Sequence, residues 1–77
     1  MDILSRLQYI FREIFDDETI VLTRETTTND IEEWDSLAQV NIVMACEIEF
    51  RIKFDLNDIT NMKKVGDIVD TVERKQK

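Results

Sequence analysis

Histidine and proline are both missing from the 77 residues, and glycine and cysteine occur once each, as Gly66 and Cys46. Without histidine there is no imidazole base and no imidazole ligand for zinc. A lone cysteine closes no internal disulfide and builds no multi-thiolate metal site. That suits a reducing cytoplasm, the compartment expected for this chain. A single glycine cannot furnish a glycine-rich phosphate loop. Asp55, Asn57 and Asn61 hint at calcium-loop spacing, but Thr60 stands where glycine is required and Gly66 where glutamate is. No metal site is expected. Hairpin-type turn signals are scarce, which favours helices. No apolar run approaches the ~18 residues of a membrane span. Met1-Asp2-Ile3 also lacks the basic start and long apolar core of a secretion signal, so neither membrane insertion nor export is expected.

What is present is charge, mostly of one sign. The net charge is −7, and it is polarised. Residues 1–36 hold ten acids and three bases, while residues 62–77 carry a small positive excess. A nucleic acid or an anionic membrane would be repelled by the acidic part, and basic protein surfaces would be drawn to it. The length fits one domain, residues 1–77, that buries roughly 60 % of its unfolded surface. Such a chain is too small to enclose a substrate and also build a catalytic constellation, unless a cofactor carries the chemistry.

The first segment, about Asp2 to Asp16, repeats Ile3, Leu4, Leu7, Ile10, Phe11, Ile14 and Phe15 at helical spacing. Ser5, Arg6, Gln8, Arg12 and Glu13 fill the other side, and Asp2 is a natural N-cap. Asp16, Asp17 and Glu18 oppose the negative end of a helix dipole and mark its stop. Residues 17–35 then form a long loop, with Ile20, Leu22, Ile31 and Trp34 as apolar pegs. A loop this long in so small a domain points to function.

The second helix, about Ser36 to Arg51, carries two apolar stripes. Ile42, Val43, Cys46 and Phe50 make the natural core face. Leu37, Val40, Met44 and Ile48 lie nearly opposite. A helix apolar on both faces is either wholly buried or holds one face ready for a partner. So small a chain has little mass to bury it all round. Leu37, Val40 and Met44, edged by Glu47, therefore read as a docking surface, with burial of both stripes the competing reading, above all for Ile48. Cys46 reads as core filling. Residues 50–54 read as a connector with Ile52 and Phe54 inward. A short helix over Leu56 to Thr60, capped by Asp55, should turn Leu56 and Ile59 inward. A last helix follows Val65, Ile68, Val69 and Val72, where Gly66 would permit a neighbouring helix to approach. Arg74, Lys75 and Lys77 complement its C-terminal dipole.

Between loop and second helix, Asp30-Ile31-Glu32-Glu33-Trp34-Asp35-Ser36-Leu37 places four carboxylates just before a serine. Asp35 and Ser36 are both good N-cap residues. Ser36 either caps the helix and does nothing else, or offers its hydroxyl beside the positive end of a dipole that favours an esterified anion.

Asp35-Ser36-Leu37, followed by Val40, Val43, Met44-Ala45, Glu47, Glu49 and Phe50, resembles the signature of acyl carrier proteins. The resemblance covers nearly the whole chain, from the first amphipathic helix to Val65-Gly66-Asp67-Ile68-Val69. It implies an all-α fold, a small antiparallel four-helix bundle of three main helices and a short third one, with a long loop between the first two. It implies a 4′-phosphopantetheine arm on Ser36, added by a phosphopantetheinyl transferase from coenzyme A. Asp35 would lie near the transferase's magnesium ion, and Leu37 would flank the attachment site. The protein would catalyse nothing itself. It would carry acyl groups as thioesters to loading and transfer enzymes with basic surfaces, which Leu37, Val40, Met44 and Glu47 would contact. A monomer is expected.

The sequence departs from that pattern where fatty-acid carriers commonly show acids. Here stand Ala38, Asn41 and Ile48, and Arg51 and Lys53 follow. The departures suggest a carrier dedicated to one pathway, such as polyketide, sugar or polysaccharide modification, over general fatty-acid synthesis. An aminoacyl or peptidyl carrier and an unmodified acidic helical adaptor are the alternatives.

Overall fold

The computed structural model describes residues 2–76. Four helices follow one another: α1 (Ile3–Phe15), α2 (Ser36–Phe50), α3 (Leu56–Thr60) and α4 (Val65–Gln76). The described residues contain no strand, only an isolated bridge between Thr27 and Lys64. The expected helical bundle is therefore what forms. No helix among the described residues is long and apolar enough to cross a membrane.

α1 starts where Asp2 accepts the Ser5 amide at 2.8 Å. It stops at Asp16, which takes the left-handed conformation (φ 51°) and donates its backbone N–H to the Arg12 carbonyl. Aspartate tolerates that conformation better than most side chains. Leu7, Ile10 and Phe11 are buried against α2 and α4. Two residues assigned to the solvent side are corrected by the structure. Gln8 accepts the Leu22 amide through Oε1 at 2.9 Å, and Arg12 donates through Nε to the Ile20 carbonyl at 2.8 Å. Both sit at the edge of the apolar stripe, where a long side chain can reach a backbone lying across the helix.

The 17–35 segment is thus fastened along its length. Leu22, Ile31 and Trp34 are buried, Ile20 packs against the core, and Trp34 meets Phe11 edge-on with ring centroids 5.0 Å apart. Its other side is tied to the start of α4, where the Val65 amide donates to Thr26 O (2.8 Å) and the Gly66 amide to Arg24 O (2.9 Å). Gly66 does permit a close approach, but of this loop and not of a helix. A Cβ there would lie 2.9 Å from the Arg24 carbonyl oxygen.

α2 buries Ala38, Ile42, Val43, Cys46 and Phe50 and leaves Leu37, Val40, Met44 and Ile48 in solvent. Ile48, the residue for which burial competed most strongly, is 78 % exposed. Arg51 closes the helix in the left-handed conformation. Ile52 is buried and Phe54 packs on the core, as the connector reading requires.

α3 departs from expectation. Asp55 caps it and Asp58 returns the bond, forming a complete capping box. That geometry turns Asp58 inward, and Leu56, expected inside, is 79 % exposed. Ile59 packs on the core as expected. Arg74 and Lys75 reach the buried Asp58 carboxylate at 2.8 and 2.9 Å, so they bind α3 to α4 beyond any effect on their own helix end. Lys77 lies outside the described residues.

Candidate functional site

The start of α2 separates two tasks that the sequence leaves open between Asp35 and Ser36. Asp35 has extended backbone and accepts the Ala38 amide through Oδ1 at 2.9 Å, while its carbonyl accepts the Gln39 amide at 2.9 Å. It is the N-cap. Ser36 is the first helical residue, exposed, and its hydroxyl makes no hydrogen bond among the described residues. Capping therefore does not account for Ser36. Of the first-turn amides, those of Ser36 and Leu37 have no partner among the described residues, and they sit at the positive end of the helix.

The chain has no imidazole, and one Asp35 oxygen is engaged in the cap. Ser36 is exposed, with no histidine beside it to act as its base.

Leu37, 70 % exposed, stands beside it, and Val40 and Met44 continue the same exposed face down the helix. Glu47 is half-buried and accepts the Phe54 amide through Oε2 at 2.9 Å, which ties it to the connector. Asp30, Glu32 and Glu33 are exposed on the loop that leads in. The serine opens onto a shallow groove of about 480 Å³ whose walls include Trp34, Gln39, Val40, Ile59 and Met62.

Gln39 is the residue that sequence reasoning passed over. Its Oε1 accepts from Trp34 Nε1 at 2.7 Å and its amide nitrogen lies 3.7 Å from Met62 Sδ, bridging loop, α2 and the segment before α4. Its position three residues after Ser36 puts it on the serine's side of the helix, which was the available signal.

No family model matches the chain. Two curated relatives do, both named acyl carrier protein. The one from Thermotoga maritima is 35 % identical over 74 residues, 96 % of this chain and 91 % of its own length. The one from Acidothermus cellulolyticus is 32 % identical over 71 residues, 92 % and 84 % of the two chains. Among solved structures, a holo acyl carrier protein from Geobacter metallireducens superposes with a TM-score of 0.90 at 48 % identity, covering 97 % of this chain and 86 % of that one.

Proposed function

The chain belongs to the acyl carrier protein family, and from that premise we propose that Ser36 is the attachment point of a 4′-phosphopantetheine arm drawn from coenzyme A. It is a carrier and not an enzyme. The observation that carries the assignment is the division of labour at the start of α2: Asp35 satisfies the helix end, and Ser36 stands exposed with its hydroxyl unengaged. The residues fit the group. A phosphodiester on Ser36 Oγ would lie beside the unpaired Ser36 and Leu37 amides, where the helix dipole favours an anion. When bound, the arm supplies a terminal thiol that holds an acyl group as a thioester.

The chain's own residues position that arm. Asp35 fixes the first turn that presents the serine, and its second carboxylate oxygen would be available to the transferase's magnesium ion. Leu37 flanks the attachment point. Val40, Met44 and Glu47 form the face that partners read. The exposed Asp30, Glu32 and Glu33 draw basic enzyme surfaces towards Ser36. Those partners are the phosphopantetheinyl transferase and the enzymes that load and remove the acyl group.

α2 supports one reading of the pathway. Its free face offers Leu37, Val40, Met44 and Ile48, and exposed Asn41 adds no charge. Ala38 is buried and so adds nothing to the surface. A partner that recognises a row of carboxylates would find few here. This supports a carrier dedicated to one biosynthetic route, such as polyketide, sugar or polysaccharide modification. Efficient acyl extension by purified fatty-acid synthase enzymes would sink that assignment.

Intact mass spectrometry tests the attachment site. Wild type incubated with coenzyme A, magnesium and a broad-specificity transferase should gain one phosphopantetheinyl group, and folded Ser36→Ala should gain none. A folded wild type that several transferases leave unmodified, or a modified Ser36→Ala, would overturn it.

A further inference from the structure

The apolar stripe of α2 runs its full length, but the charge beside it changes sign from end to end. At the start lie the exposed carboxylates of Asp30, Glu32, Glu33 and Asp35. At the far end Met44 and Ile48, 55 % and 78 % exposed, border an open groove of about 370 Å³ whose charged lining is Arg51, Lys53 and Glu47. The acids closest to this end are Glu49 and Glu47, and Glu47 lines the groove and keeps its charge, so two cations there face one carboxylate without a cationic partner. Glu47 accepts the Phe54 amide, and Glu49 pairs with Arg6. Arg51 and Lys53 are exposed and take part in no ion pair among the described residues. Arg51 is also fixed in place by the helix end, since its left-handed backbone donates to the Glu47 carbonyl.

We propose that this end of α2 docks a partner protein presenting an apolar ridge rimmed by carboxylates, opposite in sign to the basic surfaces drawn to the Ser36 end. Ser36 and Arg51 are separated by about 22 Å along the axis at ~1.5 Å per residue. At physiological salt the screening length is about 8 Å, so the acids near Ser36 do not cancel the cations near Ile48. The apolar centre supplies contact area, and the two charged ends fix direction. A partner with matching ends seats along α2 one way round and brings its working end to Ser36. That last step rests on the carrier reading. The chemistry of the surface does not.

The test is an amide NMR titration of the folded full chain with two helical peptides. Both carry the same leucine ridge; one is rimmed by glutamates, the other by lysines. The glutamate peptide should shift amides between Met44 and Lys53 and bind there about fivefold more tightly than the lysine peptide, as two rim charge pairs allow. Lys53→Glu together with Arg51→Asn, since asparagine accepts a left-handed backbone, should remove that preference while leaving helicity intact. Equal or tighter binding of the lysine peptide at this segment, or no shifts there with either peptide, would overturn the proposal. So would concentration-dependent shifts of the same amides without peptide, which would make a second copy of the chain the occupant. Transferase loading of the double variant at the wild-type rate separates the two readings. Loss of peptide preference with loading intact concerns this surface alone, and absence of loading in wild type concerns Ser36.

Discussion

Two adjacent residues at the head of α2 differ in what they do for the fold, and substitution should separate them. Asp35 holds the Ala38 amide, and replacing a capping aspartate by alanine costs about 1 kcal/mol. Asp35→Ala should therefore lower the urea midpoint. Ser36 makes no bond that the helix needs, so Ser36→Ala should change stability by less than about 0.5 kcal/mol, as exposed sites usually do. The same Ser36→Ala chain should refuse the phosphopantetheinyl group. A stability loss at Ser36 equal to that at Asp35 would return the serine to a capping role. Gln39 belongs at this scale too, because its two contacts fix the floor of the groove that the serine faces.

α3 is one turn long and is held to α4 by charge. Asp58 is buried, accepts from Lys75 and Arg74, and also receives the Asp55 amide. The Lys75 hydrogen bond first, then the amide and the neighbouring cations, hold its carboxyl below the ordinary value of 3.8. A lowered carboxylate stabilises the fold above its unfolded value and loses that contribution as pH falls through the lowered one. Asp58→Asn should therefore melt below wild type at neutral pH, and in thermal scans the gap should begin to narrow below about pH 3.8 and close only below the lowered value. A gap that stays constant through that range would exclude the ion pairs as its source.

The loop is held at the start of α4 by a contact without room for a side chain. Gly66→Ala gains up to about 1 kcal/mol of helix propensity. It also drives a Cβ to 2.9 Å from a backbone oxygen that neither rotates nor yields. Relief would stretch the Gly66–Arg24 and Val65–Thr26 hydrogen bonds. The clash should win, with faster hydrogen exchange at the Val65 and Gly66 amides and a lower melting temperature. A higher melting temperature would show that the loop gives way easily.

For the whole molecule, Cys46 is a built-in reporter of opening. It is fully buried on the core face of α2, and desolvation foremost pushes its thiol up to about 12. Against its ordinary value of 9.0, native protein at pH 8 holds about a thousandfold less thiolate than unfolded chain. Alkylation should thus be slow in buffer, accelerate through the unfolding transition, and follow circular dichroism in doing so. Fast labelling of the native protein would mean that the core opens locally around α2. The charge asymmetry also belongs here. An acidic entry to Ser36 and a cationic far end give the exposed α2 face a direction that neither end has alone.

The sequence by itself determined where the three long helices lie, because their apolar repeats and caps act within one turn of chain. It also determined that a long loop, pegged by Leu22, Ile31 and Trp34, ends at Asp35-Ser36-Leu37. The core stripe of α2 was also legible, and tertiary structure decided that the second stripe is not buried as well. Both stripes satisfy the same periodicity, and only the amount of chain packed around α2 leaves Ile48 in water. It decided the roles of Gln8 and Arg12, whose bonds go to loop backbone beyond their own helix. It turned Asp58 inward and Leu56 outward, because a single turn has no periodicity to read and its orientation follows its cap and two cations on α4. It chose Asp35 over Ser36 as the cap, a matter of one residue's backbone geometry that two equally suitable side chains cannot settle. That choice leaves the serine free.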